Sequence, residues 1–241
     1  MQSLAERFRP KCWDEVVGQD EVTARLKRLA AKGWLTRRAF WLSGPSGTGK
    51  TTIARLIAAE VADEFCTLEM DAGSLTLSRL QEFQESMHLR GFGEKGGRAF
   101  ILNESHGLRR DTLRALLVLL ENLPEHVTFV FTSTADNMES FEAGSADALP
   151  LLSRCLKLEL RDKDLSKPFA ERARTIARAE GLDGKPLEAY LHLARRSRCN
   201  LREMLNRIEC GELEAGDPAT VESEPEAAPV RASSRTSRGR S

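Results

Sequence analysis

No stretch of this chain stays apolar for the ~18 residues that a membrane-spanning helix needs. The opening MQSLAERFRP lacks the apolar core of a secretion signal. The expectation is a cytoplasmic protein with no membrane partner. Net charge is also missing, since 36 basic and 36 acidic side chains cancel. Global charge therefore neither demands nor excludes nucleic acid, and any such binding must come from a local patch. The five cysteines, Cys12, Cys66, Cys155, Cys199 and Cys210, form no C-x-x-C pair. A zinc site needs four convergent ligands, so the reading expects no zinc and reduced, mostly buried thiols. There is no internal repeat.

What is present is an alternation. RAFWLSG, CTLEMDAG, AFILNE, VTFVFTST and CLKLEL are short apolar runs of strand length. Between them lie segments with apolar residues at helical spacing, such as QDEVTARLKRLAAKG and RRDTLRALLVLLENL. Alternating strands and helices predict an α/β fold, a parallel sheet covered on both faces. Near-continuous apolar strands fit that burial. After Leu160 the strands stop and three helical segments follow, which read as a small separate unit. The expected boundaries are a nucleotide-binding base domain at 1–160, a helical lid at 161–212 and a tail at 213–241. The tail is acidic, then basic, with few large apolar residues, and is expected to be disordered.

The segment GPSGTGKTT fits G-x-x-x-x-G-K-[ST] from Gly44 to Thr51, and it sits between a predicted strand and a predicted helix. Glycines let backbone N–H groups turn inward around phosphates, and the helix N-terminus adds favourable partial charge. Gly44, Pro45, Ser46, Gly47, Thr48, Gly49, Lys50, Thr51 and Thr52 are thus the candidate phosphate cradle. Lys50 would reach the outer phosphates and Thr51 would ligate Mg²⁺. The implied cofactors are ATP and Mg²⁺.

A nucleotide hydrolase also needs acids beside the metal and the attacking water, expected on the neighbouring strand. The third predicted strand ends in Asn103–Glu104 where Asp–Glu would be usual. Glu104 can polarise water as a base. Asn103 can accept a hydrogen bond from a metal-bound water but lacks the charge. That loss is on the order of 1–2 kcal/mol, about tenfold in metal affinity or rate. It would slow hydrolysis without stopping it.

Five pieces in order resemble one family. RFRPKCWDEVVGQDEV resembles the lead-in segment of clamp-loader AAA+ ATPases, and GPSGTGKTT their phosphate loop. ILNESHGLRRDTLRALLVLLENLPEHVTFVFTSTADN is similar to their Walker B to sensor 1 stretch, LLSRCLKLEL carries their Ser-Arg-Cys motif, and CNLREML resembles sensor 2. The resemblance runs from about Leu4 to Glu212. It is nearest to the bacterial polymerase III tau/gamma-type subunits, with the replication factor C small subunits close behind. It implies a P-loop AAA+ fold, a five-stranded parallel sheet flanked by helices and followed by a helical lid.

The resemblance also implies roles. Arg9, Pro10, Val17 and Gly18 would line the adenine pocket. Thr134 would be sensor 1, Arg202 sensor 2, and Arg154 an arginine finger acting on a neighbouring subunit. The implied partners are other AAA+ subunits in a homo- or hetero-oligomer, a sliding clamp or similar client, and DNA. Lys95, Arg98, Arg109, Arg110 and Arg114 would contact duplex phosphates or form a solvated face.

Besides Asn103, three departures stand out. The zinc-binding insert of the tau/gamma subunits has no counterpart. The link MESFEAGSADALP is long, and no stretch resembles the collar domain that holds clamp-loader rings together. The chain is therefore expected to join a partner's ring, to assemble only on nucleotide and DNA, or to do another job. The implied function is an ATPase coupling turnover to loading or remodelling of a clamp or other protein on DNA. The rivals are a non-catalytic ATP-dependent switch and another DNA-associated AAA+ motor, such as a branch-migration helicase relative.

Overall fold

Each of the five apolar runs forms a strand in the computed structural model, which describes residues 2–134, 141 and 146–213. The strands are β1 (Arg38–Gly44), β2 (Thr67–Asp71), β3 (Arg98–Asn103), β4 (Val127–Thr134) and β5 (Cys155–Glu159), all parallel, in the order β2-β3-β4-β1-β5. The expected disorder of the tail falls almost wholly outside the described residues, as does most of the long link.

The order corrects one expectation. The acid-bearing strand β3 does not neighbour the phosphate-loop strand β1, because β4 lies between them. Parallel pairing still brings every strand's C-terminal end to one edge of the sheet. Gly44 pairs with Thr134, and Leu102 pairs with Phe131, so Asn103 ends level with Thr132.

Two apolar layers cover the sheet. On one face, α2 (Asp20–Ala31) and α3 (Lys50–Val61) bury Leu26, Ile53 and Ile57 against Phe40, Leu42 and Ile101. On the other, α4 (Leu77–Met87), α5 (Arg110–Glu121) and α6 (Ala148–Ser153) bury Phe83, Leu116 and Leu152 against Trp41, Phe100, Phe129 and Phe131. Phe100, Phe129, Phe131 and Trp41 form successive ring contacts at centroid spacings of 4.8, 6.0 and 5.6 Å. Emptying the middle of that row by Phe129→Ala should cost about 3–5 kcal/mol of stability, the range for a buried aromatic cavity. Equilibrium denaturation measures it.

The lid is α7 (Ser166–Ala179), α8 (Leu187–Arg196) and α9 (Leu201–Glu209) around Phe169, Tyr190 and Met204. Its core includes Leu4 from the short helix α1 (Leu4–Arg7). Arg7 also forms a two-pronged ion pair with Glu180, at 2.8 and 2.7 Å. By packing, then, the first residues belong with the lid rather than with the base domain as expected.

Trp13 crosses back to the base, donating its indole N–H to Glu60 on α3 at 2.6 Å. The lead-in segment therefore bridges the two units. Among the cysteines only Cys66 is fully buried, and Cys12 and Cys210 are exposed. The expectation of mostly buried thiols fails because Cys12 lies in the outer lead-in segment, Cys199 and Cys210 flank α9, and Cys155 opens the edge strand β5.

Candidate functional site

The turn from β1 to α3 is the phosphate loop. Gly47 and Gly49 take positive φ, 77° and 103°, which side chains resist. Gly47 has a second constraint. A Cβ there would lie 2.0 Å from Asn200 Oδ1 and 2.8 Å from Asn200 Cα. Asn200 is the N-cap of α9, accepting from the Glu203 N–H. The lid thus rests directly on the loop, at a point where only glycine fits. Lys50 lies along the loop and donates to the Gly44 and Pro45 carbonyls, both at 2.8 Å.

The far wall is the end of β3. The Asn103 side-chain oxygen accepts from Thr132 Oγ1 at 3.0 Å and faces Thr51 Oγ1 at 3.5 Å. Its amide nitrogen donates to Glu69 on β2 at 2.8 Å. Glu104, the next residue, sits in the left-handed region at φ 52°. That bend turns its side chain out of the strand and into the cleft beside Lys50 and Thr51. His106 Nδ1 is 3.5 Å from the Glu104 carboxylate.

The cleft encloses about 930 Å³, counting space open to solvent. Its walls bring together Arg9, Pro10 and Val17 from the lead-in segment, Ser46 to Thr52 from the loop, Glu104, and Arg202 from α9. Arg9 donates to Thr52 Oγ1 at 3.0 Å. Burial holds the Lys50 ammonium below its ordinary pKa, with Glu104 opposing and Arg202 adding to the shift. Lys50 therefore feels both of the other charges across the cavity.

Not every expected residue joins them. Gly18 is absent from the wall and packs instead on the lid, its Cβ position 2.6 Å from Leu165. Gly44 and Pro45 lie behind the cradle, on its outer side. Thr134 ends β4 in register with Gly44, beside the loop rather than in the cleft wall. Arg154 lies at the surface after α6, donating to the Pro150 carbonyl at 2.9 Å and pairing with Glu121 at the end of α5.

The five basic residues considered for DNA do not form one patch. Lys95 and Arg98 sit at the N-terminal edge of the sheet, bonded to Ala59 and Leu89 carbonyls. Arg109, Arg110 and Arg114 lie at the opposite edge, around the start of α5, where Arg114 pairs with Asp147.

Two contributors carry no motif. Glu69 lies on a strand that also carries Thr67 and Asp71, so nothing in the sequence singles it out. Gln19, 1% exposed, donates to the Thr48 and Arg161 carbonyls at 3.4 and 3.1 Å and accepts from the Arg161 N–H at 2.9 Å. It ties the phosphate loop to the strand-to-lid linker. No sequence spacing marks that role.

Among the described residues no group of three His, Cys, Asp or Glu side chains is placed to hold a metal. The Thr51 hydroxyl and Asn103 carbonyl oxygen suit Mg²⁺, which keeps most of its waters and takes its other ligands from phosphate. The residues fit that ion.

The model of the ATPase family associated with various cellular activities (AAA) matches residues 40–146. The chain is similar to replication factor C small subunit 1 of Pyrobaculum arsenaticum, 30% identical over 186 residues, 74% of this chain and 52% of that one. It is likewise similar to DNA polymerase III subunit tau of Escherichia coli K12, 29% identical over 231 residues, 85% of this chain and 34% of that one. These relatives agree with the clamp-loader resemblance carried by the motifs. The chain spans about half the length of the replication factor C small subunits it matches. In fold it resembles a variant of Thermotoga maritima RuvB, with a TM-score of 0.65 at 24% identity over 84% of this chain and 64% of that one. Among the described residues no helix is long and apolar enough to cross a membrane.

Proposed function

We propose that this chain is a Mg²⁺-dependent ATPase subunit of clamp-loader type, coupling ATP turnover to loading or remodelling of a sliding clamp or another protein on DNA. The convergence of Lys50, Thr51, Glu104 and Arg202 on one cleft carries the reading. In it, the loop N–H groups and Lys50 bind the β- and γ-phosphates. Thr51 and Asn103 hold Mg²⁺, which when bound neutralises phosphate charge. Glu104 orients the water that attacks the γ-phosphorus in line, while the bond to the β-γ bridging oxygen breaks and ADP departs.

Arg9, Pro10 and Val17 form the base pocket, and Gly18 supports it from behind. Thr134 senses the γ-phosphate from the end of β4. Arg202 senses it from α9, so nucleotide closes the lid as a rigid body. Arg154 stands where a neighbouring AAA+ subunit can reach it, and there it completes that subunit's site. The sheet edge that carries the cleft also carries Arg109, Arg110 and Arg114, which contact DNA phosphates. Lys95 and Arg98 lie too far round the sheet to share that contact.

Lys50→Ala should abolish ATP binding measured by calorimetry, a loss of at least about 100-fold for removing a buried, charge-assisted phosphate contact. Tight ATP binding by that variant would contradict the reading.

A further inference from the structure

Asn103 is the weak point of the site, because an amide has a right and a wrong end. Its oxygen accepts from metal-bound water. Its NH₂ group would instead repel a cation and its waters. Which end faces Thr51 depends on the hydrogen-bond partners around it.

Three partners surround the amide. Thr132 and Thr51 are hydroxyls, which donate or accept as required, so neither selects an orientation. Glu69 is different. An ionised carboxylate only accepts, and its Oε1 lies 2.8 Å from Asn103 Nδ2. The opposite orientation would set two oxygens against each other at that distance. Glu69 is itself held from behind by Arg55, whose Nε and Nη2 donate to its two oxygens at 2.6 and 3.2 Å. The pair lies at the sheet surface, with Glu69 about a quarter exposed. The register of β2 on β3, with Asp71 opposite Asn103 and Glu69 opposite Ile101, sets this contact.

We propose that Glu69 is a positioning residue for Mg²⁺-nucleotide. It takes up the Asn103 N–H so that the amide oxygen faces the metal side of Thr51. In this chain the metal-facing group is therefore a pair, one residue on β3 and one on β2. The proposal rests on the ATPase reading of the cleft and deepens it.

Binding of ATPγS by calorimetry, with Mg²⁺ and with EDTA, tests it. The wild type should bind in both conditions and more tightly with Mg²⁺. Glu69→Leu should lose about tenfold of the Mg²⁺ enhancement and leave the EDTA affinity unchanged. Glu69→Gln presents an amide that donates as well as accepts, so it no longer selects the orientation and should lose the enhancement much as Glu69→Leu does. Adding Asn103→Asp to Glu69→Leu should restore it, because a carboxylate has no wrong end. Full Mg²⁺ enhancement in Glu69→Leu would overturn the proposal. So would an equal loss in EDTA, which marks a structural role, or failure of Asn103→Asp to rescue. Absence of ATPγS binding by the wild type would instead sink the ATPase reading, and this proposal with it.

Discussion

Glu104 and Asn103 are adjacent in sequence but do different work, and the backbone explains how. Asn103 ends a strand with its side chain pointing along the sheet edge toward Thr51 and Thr132. One residue on, the left-handed turn at φ 52° swings Glu104 into the cleft. Replacing Glu104 by Gln keeps the shape and removes the base. ATP affinity should stay within a few-fold, while turnover in a phosphate-release assay falls by about 10²–10⁴. Equal turnover would mean that another group activates the water. Beside Arg154, burial pushes the Cys155 thiol up to about 12. Only the thiolate reacts, so at pH 8 Cys155 stays protonated. Iodoacetamide, followed by peptide mass mapping, should label it at least about tenfold more slowly than the exposed Cys12 and Cys210.

At the scale of elements, the contact between the phosphate loop and the N-terminus of α9 is where the lid meets the nucleotide site. Gly47→Ala places a methyl group against Asn200 and strains a positive φ. The lid must shift, and ATP affinity should drop by about tenfold or more in calorimetry. Asn200→Gly should recover part of it, because the Oδ1 obstacle goes while the backbone stays. The strands and helices themselves were legible. Runs such as AFILNE and VTFVFTST are too apolar and too short for anything but buried strands. The loop was legible because its chemistry needs glycines at fixed spacing. Strand order was not, because nothing in the alternation says that β4 inserts between β1 and β3. Glu69 was hidden for the same reason, since its link to Asn103 exists only through strand pairing. Gly18 was legible as part of the site's surroundings but not as a seat for Leu165, which comes from a distant segment.

For the whole molecule, the question is how one cleft is completed. Within a single chain it gathers the glycine-rich loop, Glu104 and Arg202, while Arg154 lies elsewhere on the surface, leashed to Glu121. Under the proposed function, this outward-facing arginine would act on another subunit's phosphates, a geometry that cyclic head-to-tail assembly would supply. Arg154→Ala should keep ATP affinity and lose turnover by about 10³ or more. The most direct measurement is steady-state ATPase activity of Glu104→Gln and Arg154→Ala proteins, each alone and mixed one to one, with primed DNA present. Each alone should be nearly inactive. The mixture should recover about a quarter of wild-type turnover, the share of interfaces that random pairing completes. A mixture as inactive as its components, or an Arg154→Ala protein with wild-type turnover, would contradict a site shared between subunits.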